Sequence, residues 1–184
     1  GYTAGGSPNS GGSQGKYIKY NFSASSTITQ VGSLTGTRNG AHGSASYTHG
    51  YFPGGSDYQS NIDKFAFASD ANTADIADLT AGFGYGAGTS SNEYGYTAGG
   101  RTPTVVNVIN KFSFSSDANA TDTGNLLATN QYNSGSASLT HGYIVGGESS
   151  GNTIQKFSFS TDGDATDVGD LITNRGQVGA WFST

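Results

Sequence analysis

The first chemistry this sequence offers is a set of oxygen ligands at short intervals. Asp117-x-Asn119-x-x-Asp122 and Asp162-x-Asp164-x-x-Asp167 could surround a calcium ion, but the strings lack the glycine and distant glutamate of an EF-hand loop. Asp and Asn also bond their own backbone in turns, and the matching stretch near the start of the chain, Ser23-Ala24-Ser25-Ser26-Thr27, has no acid. A plain turn is the expected role, with calcium the alternative. Three histidines, His42, His49 and His141, would have to converge to hold a metal. His49 and His141 each precede Gly-Tyr in different parts of the chain, which marks them as strand-edge residues. No serine in a Gly-x-Ser-x-Gly string has an evident base, and no paired carboxylates fall outside turns. No catalytic residue, metal ligand or cofactor is therefore assigned.

Composition removes further classes. The chain of 184 residues has no cysteine, which excludes disulfides, zinc–cysteine sites, iron–sulfur clusters and a cysteine nucleophile. Its 13 acidic side chains outnumber the 8 basic ones, whereas phosphate binding needs clustered Lys and Arg, so no nucleic-acid partner is expected. No run of about 18 apolar residues reads as a membrane helix, and no N-terminal segment reads as a signal peptide. The absence of Met and the start at Gly1 point to a processed or partial chain. With 30 glycines and few aliphatics the core must be thin, built largely from 11 Tyr and 10 Phe.

Spacing tells what positions these side chains. Gly-Tyr-x-x-Gly-Gly recurs at Gly1, Gly50, Gly95 and Gly142, dividing a single domain (1–184) into units 1–49, 50–94, 95–141 and 142–184. Each unit continues with a variable loop and then two aromatics spaced by one residue: Tyr20/Phe22, Phe65/Phe67, Phe112/Phe114 and Phe157/Phe159. Lys19, Lys64, Lys111 and Lys156 each precede a pair. Period-2 alternation predicts strands with the rings on one face. A polar turn follows, then Leu34, Leu79, Leu126 or Leu171, then a stretch of small residues suited to a crowded inner strand. Four short strands per unit at this period predict an all-β propeller of four four-stranded blades.

The string Tyr-x-x-Gly-Gly, aromatic strand, Leu, Arg (Arg38, Arg175) and small-residue strand resembles the kelch repeat over the whole chain. It departs from that repeat where a fourth-strand Trp is usual and this chain has Ile28, Ile76, Thr123 and Val168. The Asp-Ala-Asn-Ala-Thr-Asp turns also resemble kelch-like repeats of marine bacteriophage structural proteins. The family's copper oxidase activity needs a cysteine and does not carry over. In the kelch scheme the chain starts at the second strand of a blade, so Gly179-Ala180-Trp181-Phe182 supplies the missing first strand. Pairing the termini would close a four-bladed ring; a homodimer completing an eight-bladed ring and an excised piece of a longer array are the alternatives.

Variation within a monotonous repeat marks the candidate ligand positions. Four residues after each Leu stand Arg38, Phe83, Asn130 and Arg175, followed by Asn39, Gly84, Gln131 and Gly176, on the connection into the innermost strand. Arg38, Phe83, Asn130, Gln131 and Arg175 are the expected ligand-binding residues, and with Tyr85 and Tyr132 they would suit a saccharide face. The loops after the Gly pairs form a second variable zone. The expected function is a non-catalytic recognition or adhesion module with a protein or glycan ligand, extracellular or on a virion, without membrane insertion. A structural assembly unit is the runner-up and a polysaccharide-active enzyme the third reading.

Overall fold

The computed structural model describes residues 1–6, 14–22, 28–55, 57–149 and 151–176, which are all β with no helix among them. The first sheet holds three antiparallel strands, β1 (Tyr2–Ala4), β2 (Gln14–Lys19) and β3 (Thr29–Arg38). The second is a four-stranded meander of β4 (Ser44–Ala45), β5 (His49–Pro53), β6 (Asn61–Ala66) and β7 (Ala74–Asp78). The third runs through β8 (Ala87–Ser90) and β9 (Tyr94–Ala98), detours into the hairpin β10 (Arg101–Thr102) and β11 (Thr104–Val105), and returns as β12 (Val108–Ser113) and β13 (Thr121–Asn125). The fourth contains β14 (Ser134–Ala137), β15 (His141–Val145), β16 (Thr153–Ser158) and β17 (Thr166–Asp170). The variable loop of the third unit is thus partly ordered as a hairpin, which its Arg101–Asn107 sequence did not announce.

Each four-stranded sheet takes its opening strand from the end of the preceding repeat unit: β4 pairs with β5, β8 with β9 and β14 with β15. Among the described residues no sheet closes on itself. The strand expected at Gly179–Phe182 and the expected pairing of the termini lie outside the described residues.

The repeat motif is explained by packing. The glycine of each Gly-Tyr lies opposite the first aromatic of the next strand, as in Gly50 against Phe65 and Gly95 against Phe112. A Cβ there would come within 2.2 Å of the ring in both places. The first glycine of the later pair turns the chain at positive φ, 66° at Gly54, a region open to glycine without Cβ strain.

Consecutive sheets meet through the Tyr that follows each of these glycines. Tyr2 stacks on Phe67 at 5.2 Å, Tyr51 on Phe114 at 4.7 Å and Tyr96 on Phe159 at 5.0 Å, each with its ring also against the first aromatic of the pair. Around them lie three small cores, centred on Tyr17 and Phe65, on Tyr51 and Phe112, and on Tyr96 and Phe157. Three such cores form among the described residues, because four sheets in a row share three seams.

Polar straps cross the same seams. Lys19 pairs with Asp70, Lys64 with Asp117 and Lys111 with Asp162, at 3.4, 2.9 and 2.8 Å. Asn72, Asn119 and Asp164 accept the backbone N–H groups of Ser33, Asp78 and Asn125 in the preceding sheet. The acidic turns that could have ringed calcium are therefore engaged as straps, and no group of three His, Cys, Asp or Glu side chains among the described residues could hold an ion.

Candidate functional site

The five residues expected to bind ligand separate into buried and exposed ones. The backbone carbonyls of Arg38, Phe83, Asn130 and Arg175 accept the N–H of the second glycine of each unit's pair, at Gly6, Gly55, Gly100 and Gly147. Their common position is thus set by the repeat, and the side chains of Arg38, Phe83 and Asn130 then pass toward the next sheet.

Arg38 is 0% exposed. Its guanidinium donates to the carbonyls of Phe52 and Gly54 at 3.1 and 2.9 Å and to Thr35 Oγ1 at 3.1 Å, and forms an ion pair with Asp63 at 3.0 Å. Asp63, equally buried, also accepts from the Thr35 N–H, Thr35 Oγ1, Asn61 Nδ2 and Thr73 Oγ1. Phe83 belongs to the core around Tyr51. Asn130 donates to the Gly146 carbonyl at 2.7 Å and accepts the Ser149 N–H at 3.2 Å. These three residues are placed where they tie neighbouring sheets together and present no side chain to solvent. Gln131 is also buried and donates through Nε2 to Glu148 Oε2. Arg175 alone of the five is exposed, at the wall of a cleft of about 410 Å³.

That cleft is lined by Tyr132, Glu148, Asn174 and Arg175 together with glycines 147, 151 and 176. Tyr132 joins it to a second group. Tyr85 and Tyr132 are half-buried, their ring centroids 5.1 Å apart and tilted by 48°. Both occupy the left-handed region, at φ 63° and 57°, where a bulky side chain costs roughly 1–2 kcal/mol. A backbone ladder holds them: the Tyr85 N–H donates to the Gly40 carbonyl at 2.9 Å, and the Tyr132 N–H to the Tyr85 carbonyl at 2.6 Å. Gly40 stands in the first unit at the place of the two tyrosines and has the same positive φ, 59°. The Tyr85 hydroxyl donates to Asn39 Oδ1 at 3.2 Å. Burial, then Tyr132, Tyr58 and Asp57, push its phenol above the ordinary value, with Arg101 opposing them.

The assembled surface is a line of aromatic faces with polar ends. Tyr58, itself at φ 54°, and Arg101 lie close enough to act on the Tyr85 phenol, and Glu148, Asn174 and Arg175 line the cleft with Tyr132. It offers ring faces, amides, guanidinium donors and a carboxylate, and no nucleophile with a base beside it. Of the residues singled out by spacing, Tyr132 and Arg175 line the mouth of this cleft, Tyr85 packs on Tyr132, and Gln131 is buried behind Glu148; Arg38, Phe83 and Asn130 are buried between sheets. Arg38 shares a repeat position with Arg175, but only the residue three strands on, Asp63 in the next unit, reveals that Arg38 is paired.

His42, weighed in the sequence only as a metal ligand, has a structural role that spacing did not signal. It is buried in the connection to β4, and its Nε2 accepts the N–H of Gly86 at 2.6 Å, bridging to the connection before β8. Its Nδ1 is buried with no hydrogen-bond partner, and burial lowers its pKa to about 4. The ring is thus neutral, a structural tie between the second and third sheets. No sequence periodicity marks it, since the three histidines do not share a repeat position. His49 and His141 open β5 and β15 with Nδ1 at 2.8 Å from the hydroxyls of Thr48 and Thr140.

Neither a protein-family model nor a curated protein sequence matches this chain.

Proposed function

We propose that the chain is a kelch-like propeller serving as a non-catalytic recognition module, with the Tyr85–Tyr132 mouth as its glycan-binding face. The observation that carries this reading is the pair of tyrosines kept at positive φ. The first unit solves the same backbone position with Gly40, which costs no strain; two units retain bulky rings there and hold them with a backbone ladder. Strain of this kind, stored where the ring faces solvent, is a mark of function. Sugar rings stack on aromatic faces, and the amide and guanidinium groups of Asn39, Arg101, Asn174 and Arg175 supply hydroxyl partners. The resemblance to phage repeats favours a virion or extracellular setting, where such a module would engage a host surface.

Glycan-array binding tests this reading, with Tyr85→Gly and Arg175→Ala as the variants. Tyr85→Gly removes the ring and makes the position like Gly40, so the backbone is preserved. Binding in the wild type that falls at least about tenfold in both variants supports the assignment; a ligand indifferent to both overturns it. Turnover of a bound polysaccharide would convert the module into an enzyme, and the mouth would then hold its site.

A further inference from the structure

The seams between sheets follow one rule, and two faces of the molecule carry its unmatched halves. In each seam a Tyr of one sheet stacks on a T-shaped aromatic pair of the next. The pairs Phe65/Phe67, Phe112/Phe114 and Phe157/Phe159 have centroid separations of 5.5, 5.9 and 5.8 Å and angles of 75°, 77° and 78°. Tyr20 and Phe22 on the first sheet form the same pair, 5.4 Å apart at 83°, with no Tyr of another sheet upon it among the described residues. Phe22 is 80% exposed. On the fourth sheet Tyr143, in register with Lys156 as Tyr51 is with Lys64, has no aromatic pair against it among the described residues.

We propose that the free face of the fourth sheet docks on the free face of the first sheet of a second copy of this chain, so that two copies join head to tail into a ring of eight sheets. Tyr143 then stacks on the partner's Phe22 and Tyr20, repeating the contact that the chain builds internally three times.

Residues that change together at these two faces support this occupant over an unrelated partner. In the filled seams Thr35 bonds Asp63, Thr80 bonds Asn110, and the Leu127 N–H bonds Gln155. The corresponding residues at the open faces are Ile172, fully exposed, and Ile18. The first two seams pair polar side chains here and the third sets Gln155 under a leucine backbone, whereas at the open faces both members are apolar, as expected if these two faces meet each other. Ile28 follows the same pattern. Its equivalents Thr73, Ala120 and Ala165 are buried under the preceding sheet, whereas Ile28 is exposed on the first. Charge agrees at longer range: unit 1–49 has three basic and no acidic side chains, and unit 142–184 has two basic and five acidic ones, which steers head-to-tail encounter. Lys156 finds no carboxylate on the first unit, so this seam is the most apolar of the set. Arg175, opposite Ile18 rather than an acid, stays at the solvent rim, where the mouth uses it. The number of copies rests on the propeller reading, since known rings hold about 4–8 blades and a third copy would exceed that range.

The contact is heterologous, and this makes it separable from other modes of association. Sedimentation of the full chain over a wide concentration range is expected to show a species of twice the 18.7 kDa chain mass. Phe22→Asp breaks the first-sheet face, and Tyr143→Asp breaks the fourth-sheet face. Ile172→Asp is a second fourth-sheet variant whose fully exposed side chain touches no core. Each variant alone alters both seams of the ring and is expected to weaken association at least about 30-fold, the effect of losing even one interface hot spot. An equimolar mixture of Phe22→Asp and Ile172→Asp copies retains one intact seam and is expected to re-form a dimer. A monomeric wild type, a dimer indifferent to these variants, or a mixture that stays monomeric overturns the proposal. A head-to-tail assembly of another size would keep the seam and overturn the eight-sheet ring and its propeller basis, while glycan binding reports separately on the mouth.

Discussion

The seams and the mouth are adjacent regions of the same repeat, built by opposite means. At each of the three seams the same residue types meet, a Tyr and a Lys from one sheet against an aromatic pair and an acidic turn from the next, so each contact is duplicated with small changes. At the mouth the units diverge, with glycine in one and tyrosine in two at a strained position. Repetition gives stability through many modest contacts, and divergence leaves one surface free to be specific. Experiments that perturb one region and spare the other can break this division.

The largest effect is expected where a variable residue has been drawn into a seam. Arg38→Ala leaves Asp63 as a buried carboxylate without its counter-ion, a loss of about 3–5 kcal/mol. Denaturant unfolding measures it. The loss should shrink in Arg38→Ala/Asp63→Asn, because the neutral amide needs no counter-ion and resembles Asn110, which does this job one sheet later. A single-variant loss below about 1 kcal/mol would mean that Arg38 is not sealed in the seam and remains available to ligand.

Acid should weaken the same kind of contact at His42. Its folded-state pKa of about 4 lies below the 6.5 of an unfolded histidine, so unfolding takes up a proton between these values. The stability held above pH 6.5 is lost as pH falls toward 4, by an amount on the order of 3 kcal/mol. Comparison of unfolding free energies for wild type and His42→Gln across that window isolates the contribution: the variant's pH profile should lose this slope. Equal profiles would place the titration elsewhere.

How much of this was legible in the sequence depends on whether a feature repeats. Four copies of Gly-Tyr-x-x-Gly-Gly and of the aromatic pair locate the strands, their faces and the opening strand borrowed from the preceding unit, because the same packing problem is solved each time. Arg38 and Arg175 share a motif position, yet one is sealed and the other exposed. The difference lies in Asp63, which sits on the neighbouring sheet and is linked to Arg38 by packing rather than by chain distance, whereas Arg175 has no following sheet beside it among the described residues. Positive φ at Tyr85 and Tyr132 leaves no sequence mark, since tyrosine is a residue that backbone rules would keep out of that region. His42 is single, and repeat logic passes over it.

Surface straps should matter less than their regularity implies. Lys111 is mostly covered, but Asp162 is more than half exposed, and solvent screens such pairs to at most about 1 kcal/mol. Lys111→Ala also removes a cation held 4.4 Å above the Tyr94 ring. A thermal unfolding shift corresponding to about 0.5–1 kcal/mol is expected, reduced by salt. A larger loss would show the strap to be part of the core.

The smallest change in stability is expected at Tyr85, where binding should change most. Tyr85→Gly relieves roughly 1 kcal/mol or more of left-handed strain. It gives up the contact with the Tyr132 ring and the hydrogen bond to Asn39 Oδ1, each worth about 1 kcal/mol in such a partly exposed place. The terms oppose each other, and the net should fall within about 1 kcal/mol of zero in denaturant unfolding. A residue that is neutral for stability, strained in its backbone and required for binding is one retained for its face. A loss approaching that of Arg38→Ala would instead make Tyr85 a structural wedge between the second and third sheets, and the distinction between seam and mouth would fail at the position chosen to define it.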